Sequence, residues 1–238
     1  MESSNNPIPA TKIVAQKTVS NKFDIIKLSF NSTYVLLITT GTITLVEALA
    51  TKNPEIRHIM NLETCISIIA GYFYSQFTNK VSTVNGIIDY KELTESRYND
   101  WIITTPLMLL AFMLSLSYNN KNTIHFATYI TVVLLNFGML YSGYLGEKSK
   151  ISKLLGCIIG FSFFFALFGL IYYYFVKDCI NKFNYVLFGI YFIIWSLYGV
   201  VYWLDDENKN IGYNLLDLSS KCFTGLGLWA YFTKILVV

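Results

Sequence analysis

Seven stretches of the chain are almost continuously apolar, at about residues 30–50, 60–79, 97–117, 123–146, 152–176, 183–204 and 211–236, with short polar segments between them. Each is close to the roughly 20 residues that a helix needs to cross the hydrocarbon of a lipid bilayer. The pattern predicts an all-α membrane protein, a single seven-helix transmembrane bundle over residues 30–238, with connectors too short for an appended domain. Residues 1–29 are rich in Ser, Asn, Lys and Thr and turn weakly amphipathic at Phe23, Ile25, Ile26 and Leu28. They read as a polar tail ending in a short surface helix, without the basic flank, apolar stretch and cleavage site of a signal peptide. The longest connector, 78–95, holds Thr83-Val84-Asn85-Gly86, which suits a hairpin turn.

Composition narrows the class further. The chain is 54% hydrophobic and 14% charged, which excludes a soluble globular domain. A net charge of +3, spread along the chain, gives no footprint for nucleic acid. The four cysteines, Cys65, Cys157, Cys179 and Cys222, show no paired spacing and read as small core residues rather than disulfides or metal ligands.

Against this apolar background a few ionisable residues stand out. Asp217 and Lys221 lie four apart on one helix face of the last span. Arg97, Asp100 and Thr104 share a face of the third span, spaced i, i+3 and i+7. Each such charge costs at least about 2.5–3.5 kcal/mol in a bilayer, so it marks function by default. Two carboxylates and two cations make a neutral set if they face one another inside the bundle. An ion pair that only holds helices together is the plainer alternative. A buried lysine amine also forms Schiff bases with carbonyl compounds, and Asp100 and Asp217 would balance a protonated imine. Trp101, with Trp195, Tyr198 and Tyr202 at i, i+3 and i+7 on the sixth span, would wall a flat conjugated ligand, although such a stripe standing alone is more often core. Phe161, Phe163, Phe164, Phe165 and Phe168 of the fifth span read as packing and lipid-facing aromatics.

With these motifs on the page, the chain resembles the microbial rhodopsins over most of its length. Asp217-x-x-x-Lys221 is similar to that family's seventh-helix counter-ion and retinal-bearing lysine, and Arg97-x-x-Asp100-Trp101-x-x-Thr104-Thr105-Pro106 to its third helix. Trp195-x-x-Tyr198 matches the sixth-helix wall of the pocket, with Tyr202 where the family often has another Trp. The segment from Ile69 to Tyr74 and Gly143-Tyr144-Leu145-Gly146-Glu147 resemble the proteorhodopsin branch, but Phe73 replaces that branch's histidine. Arg57-His58 followed by Glu63 resembles the rhodopsins of giant algal viruses.

The resemblance implies all-trans retinal, bound covalently to Lys221 as a protonated Schiff base, in a photoreceptor that moves protons or monovalent cations and is not an enzyme. Trp101, Thr104, Thr105, Met108, Trp195, Tyr198, Tyr202 and Ser220 would line the pocket. Asp100 would accept the Schiff-base proton, Arg97 would swing outward, and the proton would leave past Asp205, Asp206 or Glu207. Asp217 would stay ionised, held by Tyr74 and Tyr198. Met108 favours green and Ser220 blue absorption, so the expectation is blue-green to green.

In outward pumps of the family a carboxylate eleven residues after the counter-ion returns the proton, and here that position is Ala111. Glu63, with apolar neighbours Ile66 and Ile69, is the substitute by position; a helix-start cap is the structural alternative. The outward proton pump is therefore the first reading. A cation channel, lined by Glu47, Glu63, Ser67 and Asn99, and a slow-cycling sensory photoreceptor are the rivals. Family topology implies an outer amino terminus and a cytoplasmic carboxy terminus, in a host cell membrane if the source is viral, and a trimer or pentamer. Lys148, Lys150 and Lys153 then fall on the outer side, against the positive-inside tendency.

Overall fold

Polar side chains, rather than the ends of the apolar runs, decide where five of the helices begin. In the computed structural model, which describes residues 10–83 and 88–236, Asn53 accepts from the backbone N–H of Glu55 at 2.9 Å, and Asp89 from that of Glu92 at 2.9 Å. Ser152, Asn181 and Asp205 cap three later helices in the same way. The resulting order is α1 (Ala10–Ala50), α2 (Pro54–Thr83), α3 (Tyr90–Asn120), α4 (Phe126–Glu147), α5 (Lys153–Phe175), α6 (Lys182–Val201) and α7 (Asp206–Asp217), then a six-residue π-helical turn (Leu218–Phe223) and α8 (Thr224–Phe232). Leu218 and Thr224 keep right-handed helical dihedrals. α7, the π turn and α8 are thus one rod, and the described residues form seven rods.

The helices outrun the apolar runs. α1 is unbroken from Ala10, so residues 10–29 continue into the first span instead of forming a separate short helix; Ile26 is buried and Ser29 accepts a hydrogen bond from Asn214 of α7. Residues 1–9 lie outside the described part, as do positions 84–87 of the expected hairpin turn. The polar segment between the first two apolar runs shrinks to a three-residue loop, because α2 starts at Pro54, which has no N–H for the first turn to leave unpaired.

Among the described residues five helices are long and apolar enough on their own to cross a bilayer: α1 from Phe23, α3, α4, α5 and α6. α2, α3 and the seventh rod carry the ionisable residues of the interior. α3 is central, packing against α2, α4, α5 and α7, while α1 lies against α2 and the seventh rod. The outer surface is apolar, with Val46, Leu49, Leu134, Ile158, Ile193 and Val200 all exposed, as a lipid-facing surface requires. The charged groups lie within: Glu63, Arg97, Asp100, Asp217 and Lys221 are all essentially inaccessible.

Candidate functional site

The third helix and the seventh rod bring the four charges together. Lys221 Nζ donates to Asp100 Oδ2 at 2.5 Å and stands 3.6 Å from Asp217 Oδ1. Asp217 is held from both sides: Tyr198 and Trp101 donate to Oδ1 at 2.7 and 3.1 Å, and Tyr74 and Arg97 donate to Oδ2 at 2.8 and 3.4 Å. Asp100 Oδ1, by contrast, has no partner among the described residues. Arg97 donates to Tyr74 Oη at 3.0 Å, to the side chain and carbonyl of Asn210, and to Asn214 Oδ1. The rings of Phe30, Tyr74, Phe77 and Tyr213 lie within 5.8 Å of its guanidinium, which suits a cation in an apolar interior. Lys221 sits in the π turn, where the wider winding departs from the i→i−4 ladder.

Beside Lys221 lies a cavity of about 120 Å³. Lys221 is the lysine among its lining residues, and Asp217 the carboxylate. Trp101, Thr105, Met108, Trp195, Tyr198, Tyr202 and Ser220 are all in its walls. Thr104 is not. Its hydroxyl donates to the backbone carbonyl of Asp100 at 2.9 Å instead, because in a helix that acceptor one turn back is within reach. Thr105 donates likewise to Trp101 at 2.6 Å and accepts from Asn136 at 2.7 Å. Phe161 and Phe164 of α5 line the cavity, so the reading of the fifth-span aromatics as only packing and lipid-facing is corrected. Gly143, Gly156, Gly160 and Gly199 flank it, and a Cβ on Gly199 would collide with Phe161, as one on nearby Gly146 would with the Tyr202 hydroxyl. An aromatic slot ending in an amine, with an orphaned carboxylate oxygen beside that amine, fits a long conjugated aldehyde bound as an imine.

Glu63 lies well inside α2, nine residues after Pro54, and does not cap the helix; Asn53 does. Its carboxyl is buried, its Oε1 has no partner among the described residues, and it turns toward Gly225 of α8. Ser67, one turn on, is buried with an unpartnered hydroxyl, and Thr44 and Thr64 bond each other at 2.9 Å. Of the remaining channel residues, Asn99 is exposed on the outside of α3 and Glu47 is half-buried.

At the Arg97 end the acidic turn divides its work. Asp205 caps α7, accepting from Asn208 through both its backbone and side-chain N–H, which lowers its carboxyl below the usual aspartate range. Asp206 and Glu147 each accept from buried Lys209 at 3.0 Å. Sequence reasoning missed Asn210, Tyr213 and Asn214, although they share a helix face with Asp217 at i, i+3, i+4 and i+7. That spacing was the available signal. It also missed Asn136 and the pairing of Glu147 with Lys209, contacts between helices that no local pattern carries.

Seven helical rods around a lysine-ended aromatic cavity define a retinal-binding, multi-pass membrane protein. A family model described as a bacteriorhodopsin-like protein matches residues 25–235, and the chain belongs to that family, whose members bind retinal through a Schiff base to a lysine. Among solved structures, the viral rhodopsin OLPVRII is 45% identical, with a TM-score of 0.84 over 89% of this chain and 99% of that one. The rhodopsin of Exiguobacterium sibiricum is 22% identical, with a TM-score of 0.73 over 90% and 98%. Xanthorhodopsin, described as a light-driven ion pump with a dual chromophore, is 17% identical, with a TM-score of 0.72 over 88% and 92%; these last two likenesses concern the fold alone. No match is found among curated protein sequences.

Proposed function

We propose that the protein is a light-driven outward proton pump, with retinal on Lys221, Asp100 as proton acceptor and Glu63 as proton donor. The observation that carries this is the unlike state of three buried carboxyls around one amine. Retinal joined to Lys221 supplies light absorption and a photoisomerisation. Everything else is the work of the chain. Asp100 is within 2.5 Å of the Lys221 nitrogen and has an unpartnered oxygen, so it is ready to take a proton. Asp217, with four donors, remains the fixed negative charge that balances Arg97. Arg97 separates this pair from the Asp206–Lys209–Glu147 cluster, past which the proton leaves. Among the described residues Glu63 has no cation within salt-bridge distance, and a buried carboxyl without one is favoured as a neutral acid able to resupply the proton from the other side. Trp101 and Trp195 hold the ligand from two helices.

This orientation puts the amino terminus and the Asp206 turn outside and the carboxy terminus inside. Illuminated vesicles or cells of known orientation will acidify the outer medium, and Asp100→Asn will abolish the change. The photocurrent will keep one sign at every voltage. A current that reverses with the ion gradient would overturn the pump in favour of a channel. The interior argues against a continuous aqueous path, since Ala70 and Ala111 are fully buried and Asn99 faces outward.

A further inference from the structure

Glu63 is anchored on α2, yet its carboxyl reaches the seventh rod, and what permits this is a missing side chain. Gly225 has ordinary helical geometry within α8, so no turn or positive φ calls for glycine there. A Cβ built on it would stand 2.9 Å from Glu63 Oε2, 3.7 Å from Glu63 Cδ and 3.3 Å from the Thr40 methyl. The space that a side chain at 225 would occupy is therefore filled by the acid. Gly225 follows Lys221 by four residues, about one turn along the same rod.

Glycine in a helix interior is unfavourable relative to alanine, so a packing reason is needed for it. A second observation points the same way. Among the described residues Glu63 Oε1 and the hydroxyl of Ser67, one turn further along α2 and packed on Gly41 of α1, are buried without partners. Buried polar atoms of this kind are satisfied by internal water.

We propose that Gly225 is a positioning residue: its lack of a side chain seats the Glu63 carboxyl against the seventh rod, one turn from Lys221. The inference rests on Glu63 being the proton donor but is tested separately from it. Gly225→Ala is compatible with folding, because the atom that must yield is the end of a flexible side chain and alanine favours the helix. In retinal-loaded protein, the infrared bands of the Glu63 carboxyl are those that Glu63→Gln removes. Gly225→Ala will shift these bands, leave the dark absorption maximum in place, and slow reprotonation of the Lys221 nitrogen about tenfold or more. It will add no further slowing in a Glu63→Gln background. It will likewise add none to Glu63→Asp, whose shorter side chain already withdraws from Gly225. Unmoved carboxyl bands in Gly225→Ala, or equal slowing with and without Glu63, would overturn the proposal. If Glu63→Gln alone cycled at the wild-type rate, the donor role would fail while the band shift still decided whether Gly225 places the carboxyl.

Discussion

The two sides of Lys221 are built on opposite principles. Toward Arg97 the polar groups are tied down: Asp217 accepts four hydrogen bonds, Arg97 spends its donors on Tyr74, Asn210 and Asn214, and Asn214 is bonded in turn to Ser29. Toward Glu63 they are loose, with Glu63 Oε1 and Ser67 Oγ lacking protein partners and apolar Ala70 and Ala111 between. A saturated network in a low-dielectric interior is rigid and holds charge in place; a sparse one disfavours charge and can change its hydration at little cost. The contrast suits a device in which a proton leaves promptly on one side and is replaced slowly on the other.

The largest effect that tests this contrast is at the shared centre. Lys221→Ala removes the amine from the cavity and will leave the protein unable to form a pigment with added retinal, read as loss of the visible band. Beside that amine, Asp100→Asn will keep the pigment but abolish proton movement, measured as light-driven acidification in oriented vesicles. On the sparse side, Glu63→Gln will leave proton release intact and slow the return of the proton by about 10²-fold or more, the scale of a lost general acid, as read by flash absorption. Tyr74→Phe removes the hydroxyl that Arg97 and Asp217 share, and will cost about 1.5–3 kcal/mol in resistance to thermal bleaching. Removing a hydroxyl on the loose side, as in Ser67→Ala, will cost far less by the same measure, and equal losses would erase the contrast. The smallest effect is at Asp205, whose capping bonds from Asn208 lower its carboxyl in the folded state. Its stabilisation is complete above the unfolded aspartate value of about 3.9 and is lost as pH falls through the lower folded value. Asp205→Ala will flatten that acid-side dependence of thermal stability.

Much of this molecule was legible in its residues. Seven apolar runs of membrane-spanning length leave a bundle as the economical solution, since lipid offers backbone groups no partners outside a helix. Charges at i, i+3 and i+4 in such runs must face inward, which is why Arg97, Asp100, Asp217 and Lys221 were recognisable without coordinates. Helix ends were less legible. α1 and α2 continue through polar residues because capping by Asn53 and contacts such as that of Asn214 with Ser29 outweigh the loss of hydropathy.

The sequence by itself determined the class: helical periodicity and the cost of buried charge are local properties, read from spacing alone. Only the tertiary structure decided which carboxyl is saturated and which is left with a bare oxygen. It moved Thr104 out of the cavity and brought Phe161 and Phe164 into it, and it set Glu63 against Gly225 across two helices. Those outcomes depend on how rods from distant parts of the chain rotate and close on one another, and packing fixes that rotation jointly for all seven.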